Sequence, residues 1–217
     1  MANVFFVSPA VGPEDRLTAY WHYVLDAVPG VGQAFVDYVS SRSGLAQLKF
    51  LGSVDHPMGD RANRPDCLIR CQDYDLLFEH KLDSPLGRRQ LDRYLALCQT
   101  RGQKLALVAA SALQLAESVC GSPWFVRPHG VGAPAHFLWQ DVHYIAQRFP
   151  DRTARDFAAF LEALGLAYFD WAGLGGPFTS DETARALRSL YAALAPHVPR
   201  TGSVVPQDGQ QPDLLAP

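Results

Sequence analysis

After Lys104 the sequence reads Leu-Ala-Leu-Val-Ala-Ala, an apolar run short enough to be one strand and without polar alternation. A strand that is apolar on both faces belongs inside a sheet with a layer on each side. What precedes it narrows the fold further. Residues 66–71 (DCLIRC) and 74–82 (YDLLFEHKL) read as two strands joined by a tight turn at Gln72-Asp73, which makes an antiparallel hairpin. A helical stretch follows, with Leu91, Tyr94, Leu95 and Cys98 on its apolar stripe, and it leads into the 104–110 run. A helix that crosses between two strands of one sheet lets them run parallel, so hairpin and crossover together predict a mixed sheet and an α/β fold.

The remaining elements follow from spacing and punctuation. Leu17, Trp21, Val24, Leu25 and Val28 recur at helical intervals over 14–28, Pro29-Gly30 breaks the pattern, and a second helix is expected over 31–42. Residues 46–54 read as a strand and 55–64 as a polar loop. Ser84-Pro85 is the expected N-cap and first position of the helix after the hairpin. Short strands are expected near 124–126 and 136–139, and a helix from about Gln140. Asp151 and Ser180 are expected caps of two further helices. The chain therefore divides into an αβββαβ core over 1–150, a helical annex packed on it over 151–198, and a tail, 199–217, whose Pro, Gln and Gly content predicts disorder.

Composition excludes several classes. With 48% hydrophobic residues among 217 the chain can bury one good core. Its net charge of −3 means that any nucleic-acid-binding surface must be local. The four cysteines (Cys67, Cys71, Cys98, Cys120) show no paired zinc spacing and read as free thiols in a reducing compartment. The first residues lack a basic, apolar signal pattern, and no run is long and apolar enough to span a bilayer. A cytoplasmic protein is expected.

The chemistry is concentrated between Pro65 and Tyr94. On the second hairpin strand, side chains alternate faces, so Asp75, Leu77, Glu79 and Lys81 share one face while Leu76, Phe78, His80 and Leu82 share the other. An acid and a lysine side by side on an otherwise apolar strand are costly to bury without partners. Hairpin pairing folds Asp66 against Glu79. Two carboxylates suit a hard divalent cation such as Mg²⁺ or Mn²⁺, which stabilises phosphoryl oxygens and lowers the pKa of a bound water. A lysine alongside adds positive charge and can orient that water.

Pro65-Asp66, twelve intervening residues and Glu79-His80-Lys81 resemble the signature of the PD-(D/E)XK nuclease superfamily, and the strand–turn–strand setting matches it. Gln90-Leu91-Asp92-Arg93-Tyr94 is similar to the Q-x3-Y motif of that superfamily's exonuclease-like and defence-associated branches. The resemblance spans roughly residues 14–145. It implies a restriction-endonuclease-like core and a hydrolase that cuts nucleic acid, DNA ahead of RNA, in the manner of prokaryotic defence or repair nucleases. Asp66, Glu79 and Lys81 become catalytic residues, supported by Gln90 and Tyr94, and Glu14 on the first helix joins Asp66 and Glu79 at the metal. His80 stands where such relatives often carry asparagine, and its backbone carbonyl is a further candidate ligand. The implied partner is nucleic acid, with room for a homodimer or another protein and no membrane.

Each motif also has a structural reading. Glu79 and Lys81 can be a plain ion pair, Gln90 solvated, Tyr94 a core-edge residue, and Glu14 a helix-dipole partner. Arg88, Arg89, Arg93, Arg101 and Lys104 face one acid, Asp92, over 86–104; they are candidate phosphate contacts or an ordinary solvated helix face. Arg88, Arg89 and Arg93 are the nucleic-acid-binding candidates carried forward. His129, His136 and His143 lack the close spacing of a zinc site. The main rival reading is a non-catalytic nucleic-acid- or partner-binding module on the same fold. A small-molecule enzyme is a second, and it would show a closed apolar pocket beside Glu79.

Overall fold

The computed structural model describes residues 12–55, 65–87, 89–111, 113–130 and 133–168. In chain order the elements are α1 (Pro13–Ala27), α2 (Val31–Ser43), β1 (Phe50–Asp55), β2 (Cys67–Cys71), β3 (Leu76–Lys81), α3 (Gln90–Arg101), β4 (Lys104–Ala109), α4 (Glu117–Cys120), β5 (Phe125–Val126), β6 (Phe137–Leu138), α5 (Trp139–Ala146) and α6 (Arg152–Ala163). The strands form one mixed sheet in the order β1-β2-β3-β4-β5, with β6 also paired to β4. The β1–β2 and β2–β3 pairs are antiparallel, and β3–β4 is parallel through the α3 crossover. The mixed α/β architecture expected from the hairpin and the apolar run is therefore present.

The sheet is covered on both faces. Leu17, Trp21, Phe35 and Val39 from α1 and α2, with Trp139 and Phe157 from α5 and α6, pack with Ile69, Leu76, Phe78, Ala106 and Val108. On the opposite face Leu91, Tyr94, Leu95 and Cys98 of α3 pack with Leu77, Leu105 and Leu107. All six residues of β3 are buried, with successive side chains entering opposite cores. A polar side chain on this strand therefore has little water within reach.

Most boundaries shift by one or two residues, and three differences bear on how the sheet and the site are built. The strand expected over 46–54 begins at Phe50, because β2 ends at Cys71 opposite it. The Gln33 amide bridges the preceding stretch, donating to the Leu48 carbonyl and accepting the Phe50 N–H, both at 2.9 Å. The helix expected to start at Ser84-Pro85 begins instead at Gln90. Ser84 is not its cap, since its hydroxyl hydrogen-bonds the Glu14 carboxylate at 2.7–2.8 Å. Arg89 precedes the helix with φ 56°, left-handed backbone that an L-residue rarely adopts. The helix after β6 starts at Trp139, one residue before the expected Gln140.

The helix expected from Asp151 is capped as expected: the carboxylate accepts Thr153 N–H at 2.7 Å and Ala154 N–H at 3.3 Å. Its buried face belongs to the main core, since Phe157 stacks on Trp21 with ring centroids 5.7 Å apart and Phe160 meets Tyr20 edge-on. The helix expected after Ser180 and the tail expected over 199–217 lie outside the described residues.

Removing the Phe157 ring opens a cavity between α1 and α6. Phe157→Ala should lower the free energy of unfolding by about 3–5 kcal/mol in urea titration. A loss below about 1 kcal/mol would mean that α6 is peripheral to the core.

Candidate active site

The site is built at the C-terminal end of β3. Cys67 pairs with Phe78, and the next backbone bond along the hairpin, from Asp66 N–H to the Phe78 carbonyl at 3.1 Å, brings Asp66 beside Glu79. The Asp66 Oδ2 accepts the His80 N–H at 2.7 Å, which fixes this carboxylate to the strand that carries Glu79. Parallel pairing with β4 holds the far side, with Glu79 opposite Leu107 and Lys81 opposite Ala109.

Glu79 is 1% exposed and Lys81 8% exposed. The Lys81 ammonium donates to Glu79 Oε1 at 2.8 Å, to Glu14 Oε1 at 3.0 Å, and to Ser84 Oγ at 3.4 Å. Gln90 Nε2 donates to the same Glu79 Oε1 at 2.6 Å and to the Tyr94 hydroxyl at 3.3 Å, while its Oε1 accepts the Gly87 N–H at 3.0 Å. Glu79 Oε2 is buried and has no hydrogen-bond partner among the described residues. A buried carboxylate oxygen without a partner carries its full desolvation cost.

The electrostatics carry the same imbalance. Burial raises the Glu79 pKa above the usual carboxylate range, and the nearby Asp66 charge raises it further, against the opposing pull of Lys81. Burial would lower the Lys81 pKa, but Glu79 and Glu14 outweigh that effect and hold the ammonium charged. Glu14 is displaced the other way: burial opposes its ionisation, yet the Leu82 N–H, Ser84 and Lys81 together keep its carboxyl below the usual range. Three carboxylates around one ammonium leave two negative charges uncompensated when all are ionised.

The structure brings Asp66, Glu79, Lys81, Gln90 and Tyr94 together, as expected from the sequence. Glu14 also arrives, but on Lys81. Its Oε2 accepts the Leu82 N–H at 2.8 Å, and both oxygens receive Ser84. Among the described residues no three His, Cys, Asp or Glu side chains gather as a metal-ligand group. Mg²⁺ commonly uses one or two carboxylates and fills its other positions from water and substrate phosphate, so Asp66 and Glu79 suffice in kind. The unpartnered Glu79 Oε2 and the excess negative charge fit such a cation.

Ser84 is a site residue that the sequence reading took for a helix cap. Its offset of three from Lys81, just past the strand end, is the signal that was there to be used. Behind the site, the His80 ring sits in the main core beside Trp139, hydrogen-bonded to Thr18 at 2.8 Å, and the Trp139 indole donates to the Lys81 carbonyl at 3.2 Å. These contacts fix the backbone of the strand that bears Glu79 and Lys81.

The basic residues separate by position. Arg89 and Arg93 are exposed at the Gln90 end of α3, and Arg88 lies outside the described residues. Lys104 opens β4 beside Leu76, at the opposite end of β3 from Lys81. It is held between the Tyr74 and Trp124 rings and donates to the Pro123 carbonyl at 3.0 Å. It therefore lies apart from the Gln90 end of α3, where Arg89 and Arg93 are exposed. His136 accepts the Leu113 N–H, and His143 pairs with Glu162 and accepts the Tyr168 N–H. A cleft of about 150 Å³ lies beside Gln90, lined by Leu86, Arg89, Asp92 and Leu115 among others. That is well below the roughly 300–1,000 Å³ of typical small-molecule pockets.

The raised Glu79 pKa has a consequence for stability without metal. Its favourable contribution is complete below the ordinary value of 4.5 and is lost as pH rises through the folded-state value. Glu79→Gln should therefore gain stability relative to wild type as chelated buffer is taken from acid to alkaline, by at least about 1 kcal/mol. A stability difference independent of pH would contradict the assignment. No family model, curated protein or solved structure matches the chain, so the chemistry of the site rests on these residues.

Proposed function

We propose that the protein is a metal-dependent nuclease of the PD-(D/E)XK type that hydrolyses phosphodiester bonds of nucleic acid, DNA ahead of RNA. The observation that carries the proposal is the buried Glu79 carboxylate, whose Oε2 has no partner among the described residues, set beside Asp66 and Lys81. The order α1, β1, β2, β3, α3, β4, with α2 following α1, supports a restriction-endonuclease-like core. A setting in prokaryotic defence or repair follows only by analogy with that resemblance.

Asp66 and Glu79 would hold the cation, Mg²⁺ or Mn²⁺. When bound, such a cation supplies Lewis-acid stabilisation of phosphoryl oxygens and a hydroxide nucleophile near neutral pH. Lys81 presents a fixed positive charge where negative charge develops on the phosphoryl group. Gln90 orients Glu79 from the α3 side, and Tyr94 braces Gln90. The hairpin and α3 exclude water from the pair, which strengthens each charge interaction. Arg89 and Arg93 are exposed beside this end of α3, where neighbouring phosphates would lie.

A non-catalytic nucleic-acid-binding module is the competing reading, and the exposed arginines would serve it equally. The two are separated by cleavage of plasmid and linear DNA in Mg²⁺, Mn²⁺ or chelator, with Mn²⁺ calorimetry on the same proteins. Wild type should cut with either metal and stop in chelator. Glu79→Ala should lose metal binding and cleavage together. Lys81→Ala should keep metal binding while cleavage falls by about two to three powers of ten, equivalent to about 3–4 kcal/mol. A wild type that binds DNA but neither metal nor cuts would establish the module instead.

A further inference from the structure

Resting on the nuclease reading, we infer that Glu14 and Ser84 are positioning residues that hold Lys81, and that Glu14 is not a metal ligand. An ammonium has three donors, and those of Lys81 are directed at Glu79, Glu14 and Ser84. Only the first of these partners belongs to the carboxylate pair that would hold a cation. When a cation draws on Glu79, Lys81 loses part of its compensation and is repelled by the new positive charge. A flexible four-carbon stem, which regains rotamer freedom on release, would then leave, unless something else retained it.

Glu14 is built to retain it. The carboxylate is tied down independently of Lys81, by the Leu82 backbone N–H at 2.8 Å and by the Ser84 hydroxyl. The Leu82 N–H is the first backbone donor past β3, so the anchor moves with the strand that carries Lys81. To ligate a cation at Asp66 and Glu79, Glu14 would have to leave that backbone donor, Ser84 and Lys81. One further feature ties α1 to the strand: Thr18, one turn on from Glu14, hydrogen-bonds His80. The start of α1 is therefore held against β3 at Thr18 as well as at the glutamate.

Glu14→Gln keeps the size of the side chain and one acceptor oxygen, which can stay on the Leu82 N–H; it removes the charge and turns the other oxygen into an NH2 that cannot accept from Lys81, and melting temperature verifies that the fold is retained. Three readouts apply: Mn²⁺ calorimetry, cleavage kinetics at saturating Mn²⁺, and the NMR signal of the Lys81 ammonium. Glu14→Gln should weaken Mn²⁺ binding by no more than about tenfold through lost long-range attraction, whereas Glu79→Gln removes it. Its kcat should fall about a hundredfold with KM little changed, since a misplaced charge affects the transition state and not substrate binding. The ammonium signal should persist in Mg²⁺-loaded wild type and vanish in Mg²⁺-loaded Glu14→Gln. Ser84→Ala should show the same pattern, less strongly. Loss of Mn²⁺ binding in Glu14→Gln as complete as in Glu79→Gln would make Glu14 a ligand and overturn the inference. A wild-type kcat and an unchanged ammonium signal would also overturn it. If wild type neither binds metal nor cuts DNA, the nuclease reading fails by itself, and the clamp is then judged in the metal-free protein, where Glu14→Gln should weaken the ammonium signal that Glu79 alone still retains; an unchanged signal would overturn it.

Discussion

The Glu79–Lys81 ion pair lies inside a sheet that is covered by helices on both faces, and much of the surrounding structure answers the cost of that placement. Desolvating two charges is expensive, and their mutual attraction offsets it only when the remaining donors and acceptors are also engaged. On the lysine side they are engaged, through Glu14 and Ser84. On the glutamate side one oxygen receives both Lys81 and Gln90 while the other has no partner among the described residues. A pair kept only for stability gains nothing from such an oxygen beside a second carboxylate, and this supports the proposed cation site.

The fold supplies the rigidity such a site needs. β3 is paired to β2 on one edge and β4 on the other, and its alternating side chains enter two separate cores. The side of the strand that carries Leu76, Phe78 and His80 packs on α1, α2 and α5, so Glu79 and Lys81 are directed away from that core. α3 then lays Gln90 and Tyr94 against Glu79, while the start of α1 reaches the strand end with Glu14. Two helices, one of them from far along the chain, thus fix two neighbouring side chains on the strand.

The alternation along β3, the hairpin, the crossover and the convergence of Asp66, Glu79, Lys81, Gln90 and Tyr94 were all legible, because each rests on local periodicity or on a short-range pairing. What was not legible depended on contacts between distant segments. Ser84-Pro85 has the composition of a helix start, yet the serine is engaged by Glu14, 70 positions earlier in the chain, and the helix begins later. The partners of Glu14 in the structure, Lys81, Ser84 and the Leu82 N–H, follow from where α1 crosses the sheet, which no spacing encodes. The Tyr74 and Trp124 rings beside Lys104 come from other segments of the chain, which charge counting does not register.

In the proposed function Asp66 and Glu79 form a divalent-cation site next to Lys81. Anomalous diffraction from crystals soaked in Mn²⁺ tests it most directly, since it locates the ion without reference to activity. The expected result is a single strong peak between the Asp66 carboxylate and Glu79 Oε2, with Lys81 still held by Glu14. A peak elsewhere, or none with the Glu79–Lys81 pair unchanged, would contradict it.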